Sequence, residues 1–111
     1  MGMKQVLLSM IVVASFSSAA AEQIKIPTDT KATYTILEKE MNGSMATIVT
    51  KREGPSGITF SKRLYDCSSW TVKYLGDGDS LEKMNQSTAD QAMTPIGDET
   101  IAYYIGRRAC N

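Results

Sequence analysis

Histidine is absent from this 111-residue chain. That absence removes the side chain whose ordinary pKa lies nearest neutrality, and with it every Ser/His or Cys/His dyad and every histidine-bearing metal centre. Cysteine occurs twice, as Cys67 and Cys110, too few and too far apart for a C-x-x-C redox pair or a thiolate metal site. Neither sign of charge is in excess: twelve basic residues face twelve acidic ones, so the chain has no general attraction to nucleic acid or to an anionic membrane. Long apolar runs are also missing. The longest, Val6 to Phe16, is about eleven residues, whereas a bilayer span takes about twenty. No catalytic or cofactor motif is present, and the expectation is a protein without catalytic residues, metal or cofactor.

What is there begins with an export pattern. Lys4 supplies a positive start, Val6 to Phe16 an apolar stretch, and Ala19, Ala20 and Ala21 a small-residue exit, so residues 1–21 read as a signal peptide cleaved between Ala21 and Glu22. A retained membrane anchor is the alternative. The leader holds no cysteine, which excludes a lipid anchor attached through an N-terminal thiol. Once Lys4 leaves with the leader, the net charge is −1 and no membrane span remains.

Two thiols delivered to an oxidising compartment predict one disulfide, Cys67 to Cys110, pinning the end of the chain to its middle. Residues 22–111 suffice for one small domain, whose limited core gains from a covalent staple. Residues 22–31 contain Pro27 and read as an extended lead-in, with the domain over 32–111. "ATYTILEKEMNGSMATIVTKR" has the form of a β-hairpin, with Asn42 and Gly43 suited to a type I′ turn. "EGPSG" turns the chain into a third strand, Ile58 to Cys67, where Lys62 shares a face with Ile58, Phe60 and Leu64; a bulge, an edge or a wet sheet end is expected there. Trp70, Val72 and Tyr74 alternate along a fourth strand, with Trp70 as a core anchor. "GDGDS" leads into a weaker fifth strand near Leu81 to Met84, and Asn85 to Thr94 reads as a loop.

At the end the period changes. Asp98 as N-cap, Glu99 in the first turn and Arg107 and Arg108 in the last predict a helix from about Glu99 to Ala109, with Ile101, Ile105 and Ala109 on one stripe. Gly106 either ends this helix early or permits close approach to a sheet. Strands first and one helix last give an α+β class: an antiparallel sheet of about five strands with a C-terminal helix packed on one face and tied by one disulfide.

Asp66 and Cys67 at a strand end, then a further strand, a Gly-rich turn and a terminal helix closing in Cys110, resemble the surface-adhesin protein E-like domains of Gram-negative bacteria over about Ala32 to Cys110. The resemblance implies a secreted or periplasmic, non-enzymatic binding module of the bacterial envelope, adhesin-like, whose partner is an extracellular-matrix or envelope protein. The adhesive member of that family is lipid-anchored, a feature this leader lacks. A periplasmic inhibitor or accessory factor of another envelope protein is the alternative, and a small carboxylate-based hydrolase the remote one.

Lys51, Arg52, Lys62 and Arg63 form a candidate binding patch for an anionic partner across the second hairpin; a solvated, aggregation-resistant sheet edge is the plainer reading. Asp77, Asp79 and Glu82 lack the spacing of an EF-hand and read as turn residues. Ser68 and Ser69 have no histidine to activate them. The N-x-S triplets at Asn42 and Asn85 are not expected to be glycosylated, and Tyr103 and Tyr104 read as packing residues with an aromatic contact surface as the alternative.

Overall fold

The computed structural model describes residues 21–111. All of the expected leader except Ala21 lies outside the described residues. Six antiparallel strands follow one another as neighbours: β1 (Glu22–Ile24), β2 (Thr33–Asn42), β3 (Met45–Gly54), β4 (Gly57–Asp66), β5 (Thr71–Gly78) and β6 (Thr94–Pro95). Two helices interrupt or close this meander, α1 (Leu81–Gln86) and α2 (Ile101–Ala109). The α+β class with a C-terminal helix on the sheet is therefore the observed architecture.

Local chemistry explains the hairpins. Asn42 pairs with Met45, so the tight turn is Gly43-Ser44, one residue beyond the expected position. Gly43 takes φ +64° at the first central position, where glycine bears no steric penalty. Gly54 pairs with Gly57 around Pro55 and Ser56, as the turn chemistry of that segment predicts.

Several expectations are corrected. Residues 22–24 are not a free lead-in: Glu22 pairs with Ile36 and Ile24 with Tyr34, making this segment an edge strand on β2, with Ile24 buried in the core and Glu22 ion-paired with Arg108. Leu81–Gln86 is a helix rather than a strand, because the Ser80 hydroxyl caps it by accepting from the Lys83 amide, and because Gly76 and Gly78 remove the side chains that would collide with it. Thr94 and Pro95, at the end of the expected loop, pair with Val72 and Thr71 as a short edge strand, where proline is tolerated. Trp70 precedes β5 in a left-handed turn conformation, φ 56°, instead of lying within the strand.

The terminal helix also starts later than expected. Thr100, not Asp98, is its N-cap, its hydroxyl accepting from the Tyr103 amide at 3.1 Å, while Glu99 lies outside with φ 62°. Of the two readings of Gly106, close approach holds. A Cβ there would stand 2.6 Å from Tyr65 Cε1 and 3.1 Å from the Trp70 ring, and the helix continues to Ala109.

The two sheet faces differ. Ala46, Ile48 and Tyr65 point toward α2, where they meet Ile105 and Ala109; all five are fully buried. Tyr65 donates its hydroxyl proton to the Ala102 carbonyl at 2.7 Å, joining β4 to the first turn of α2. On the opposite face α1 lies over Gly76 and Gly78, and the buried Val49 and Met84 stand apart from the main cluster. Two register shifts re-aim side chains. One at Leu37 turns Lys39 toward the C-terminal end of α2, where its ammonium donates to the Arg108 and Asn111 carbonyls at 2.7 and 2.9 Å. The other lies at Leu75 on β5, opposite Lys62 and Arg63; the alternation of β4 leads one to expect a bulge, an edge or a wet sheet end at Lys62, and the extra residue falls on the partner strand instead.

Cys67 and Cys110 form the disulfide, with Cα atoms 5.7 Å apart. Its loop of 43 residues corresponds to about 4 kcal/mol of denatured-state entropy on chain-closure grounds. No helix among the described residues is long and apolar enough to cross a membrane.

Candidate functional site

Alternation along β4 sends Ser61, Arg63 and Tyr65 to the same face, the one that carries α2. Tyr65 lies under the helix. Arg63 lies beside it, 5% exposed, where the helix no longer covers the sheet. One terminal nitrogen of its guanidinium donates to Thr50 Oγ1 at 3.2 Å and the other to the Tyr74 hydroxyl at 2.9 Å, with the cation 4.7 Å from the centre of the Tyr74 ring. Its Nε–H has no acceptor, and Arg63 makes no ion pair among the described residues. A buried cation without a counter-ion is costly unless something supplies one.

Arg52, on the neighbouring strand, differs. Its guanidinium meets Asp29 through two contacts, Nε at 2.8 Å and a terminal nitrogen at 3.3 Å, while the Tyr34 hydroxyl donates to the same carboxylate at 2.6 Å. This triad holds the turn around Asp29 against the sheet. The Arg52 guanidinium holds the Asp29 carboxyl below its ordinary value, helped by Tyr34; burial, with a smaller contribution from Asp29, pushes Tyr34 up to about 12.

Between these groups lies a cavity of about 180 Å³. Arg52, Arg63, Tyr34 and Tyr74 supply its cation and phenol groups, Thr50, Thr59 and Ser61 its smaller hydroxyls, and Asp77 its one carboxylate. Ile101, the first residue of α2, closes one side. A larger cavity, about 650 Å³, lies along residues 23–33, and another of about 190 Å³ beside Tyr104 and Arg107; neither is lined by a buried unpartnered charge.

The four-residue basic patch is thereby divided. Arg52 and Arg63 lie on the α2 face, whereas Lys51 and Lys62, alternating with them along the strands, lie on the α1 face. Lys51 approaches Glu53 at 3.5 Å and the Phe60 ring at 5.9 Å, the behaviour of a solvated sheet face. Sequence reasoning missed Asp29, Tyr34 and Tyr74. For Tyr34 and Tyr74 the available signal was register: Tyr34 pairs with Arg52 and Tyr74 with Arg63.

Other candidates resolve into structural roles. The Ser68 hydroxyl donates to Asp66 at 2.7 Å, and this bond, with the Ser69 amide, holds that carboxyl below its ordinary value and makes it a weak base. Asp79 approaches Lys83 at 3.4 Å, and no three acidic or thiol groups among the described residues converge as a metal site requires. Tyr103 packs edge-on against Trp70 at 6.0 Å and against Tyr104 at 5.2 Å, so both tyrosines belong to the core margin. Comparison with family models, with curated proteins and with solved structures returned no match for this chain.

Proposed function

We propose that this chain is an exported, non-enzymatic protein-binding module of the bacterial envelope, adhesin-like in construction, which takes its partner on the half of the α2 face that the helix leaves open. The observation that carries this reading is the concentration of arginine and tyrosine there: Arg52, Arg63, Tyr34 and Tyr74 line one indentation, and these are the residue types that anchor protein interfaces. Supporting features are the leader pattern of residues 1–21, the Cys67–Cys110 bridge, which suits an oxidising compartment, and the resemblance of the sequence to the protein E-like adhesin domains. An acidic residue of the partner complements the Arg63 guanidinium, since Arg52 is already paired with Asp29.

The test is capture of the purified protein's partner from periplasmic extract and from matrix proteins, in parallel with Thr59→Glu, which sets a negative charge at the cavity. Retention of a partner by the parent protein and its loss in the variant is the expected result. Equal retention by both, no capture from either source, or cleavage of the captured partner overturns the reading.

A further inference from the structure

Each residue of the triad Asp29, Arg52 and Tyr34 satisfies the others, but Arg63 has hydroxyl partners only. A guanidinium offers five N–H donors, and of these the Nε–H is left without an acceptor among the described residues, in a side chain that is 5% exposed. Here the sheet, Tyr74 and Thr50 enclose it. Beside it is a cavity large enough for a carboxyl group and its methylene, lined further by the Ser61 and Thr59 hydroxyls.

We propose that this cavity is a subsite for one carboxylate, carried on an acidic side chain of a protein partner, with Arg63 as the binding cation. The source of the carboxylate rests on the protein-binding reading above; the subsite itself rests on Arg63 alone. One unmatched guanidinium calls for one negative charge, and a planar carboxylate matches the planar fork. A doubly charged phosphate fits worse, because Arg52 is engaged by Asp29 and no second free cation lines the cavity. Asp77 is the one carboxylate among the lining residues, is exposed, and makes no ion pair with Arg63. It opposes an incoming anion by like charge and so sets the affinity.

The experiment is a titration of the purified, 15N-labelled protein with acetate, inorganic phosphate and chloride at constant ionic strength, following the Arg63 Nε–Hε resonance and the Ser61 and Tyr74 amides. Acetate is expected to move these signals to a plateau, and phosphate and chloride to move them less. Asp77→Asn removes the repulsion without touching the core and should tighten acetate by about fivefold. Arg63→Met should abolish the response of the two amides. No plateau with acetate, phosphate binding more tightly than acetate, or an Asp77→Asn variant that binds no better overturns the proposal. Those outcomes concern the subsite; capture of a partner by the parent protein and its loss in Thr59→Glu would still stand, and failure of capture would leave the acetate result intact.

Discussion

The half of the sheet face beneath α2 and the half beside it are built from the same strands, and along β4 they are only two residues apart. Tyr65 in the covered half and Arg63 in the open half are both withdrawn from water, at 0% and 5% exposure. Tyr65 has its one polar group matched by the Ala102 carbonyl and its ring matched by Gly106 and Trp70, 6.4 Å away centre to centre. Arg63 has its charge unmatched. Burial alone therefore does not tell the two positions apart. What separates them is whether the buried polar group is answered from within the molecule.

The strongest way to break the contrast is to release the helix that creates it. Replacing Cys67 and Cys110 by alanine, or reducing the bridge, should cost about 4 kcal/mol, seen as a fall of many degrees in melting temperature. Hydrogen exchange should localise the loss: α2 amides open while the β2–β3–β4 hairpins keep their protection. An unchanged melting temperature would mean that packing by Ile105 and Ala109 already fixes the helix.

A smaller perturbation acts on the contact itself. In a free helix Gly106→Ala is favourable by about 1 kcal/mol, but here the new methyl meets Tyr65 at 2.6 Å. Overpacking of a seated core residue typically costs about 1–3 kcal/mol, so the variant should be less stable in a denaturant titration. A more stable variant would show that α2 does not sit on the Tyr65 ring.

The third test compares the halves directly. Tyr65→Phe removes the hydroxyl bonded to Ala102 and should destabilise by about 1 kcal/mol. Arg63→Met, two residues earlier on the same face, removes an uncompensated buried charge and should leave stability unchanged or raise it by about 1 kcal/mol. Opposite signs sharpen the distinction; a marked loss in Arg63→Met would make this arginine a structural residue.

Much of the covered half was legible before the fold was known. The hairpin around Asn42 and Gly43 and the EGPSG turn gave the sheet, the periodic stripe through Ile105 and Ala109 the terminal helix, and the two cysteines the bridge between them. The open half was not. Along β4 the apolar residues Ile58, Phe60 and Leu64 point to the α1 face, whereas the α2 face carries Ser61, Arg63 and Tyr65, so hydrophobic alternation pointed away from the main core. The bulge at Leu75 then restores a register in which Tyr74 faces Arg63, which no local pattern announces. Glu22–Ile24 becomes a strand only through non-local pairing with β2. Gly76 and Gly78 looked like turn residues, yet they lie within β5 and leave room for α1. Asp29 gave no sign of its role, because its partners lie 5 and 23 residues away along the chain.

The effect confined to the most alkaline conditions lies on the border of the open half, where the triad around Arg52 closes it. Tyr34 has its pKa raised from an ordinary 10.0 to about 12, mainly by burial and then by its hydrogen bond to Asp29. The folded protein thus holds this proton more tightly than the unfolded chain does. Its contribution to stability is complete below pH 10 and is lost as pH rises through about 12. Stability should therefore decline over that interval, and Tyr34→Phe, which cannot ionise, should decline less steeply although it starts lower for want of the bond to Asp29. Parallel slopes for the two proteins would place the alkaline loss elsewhere, and would mean that the triad is less firmly closed than its 2.6 and 2.8 Å contacts imply.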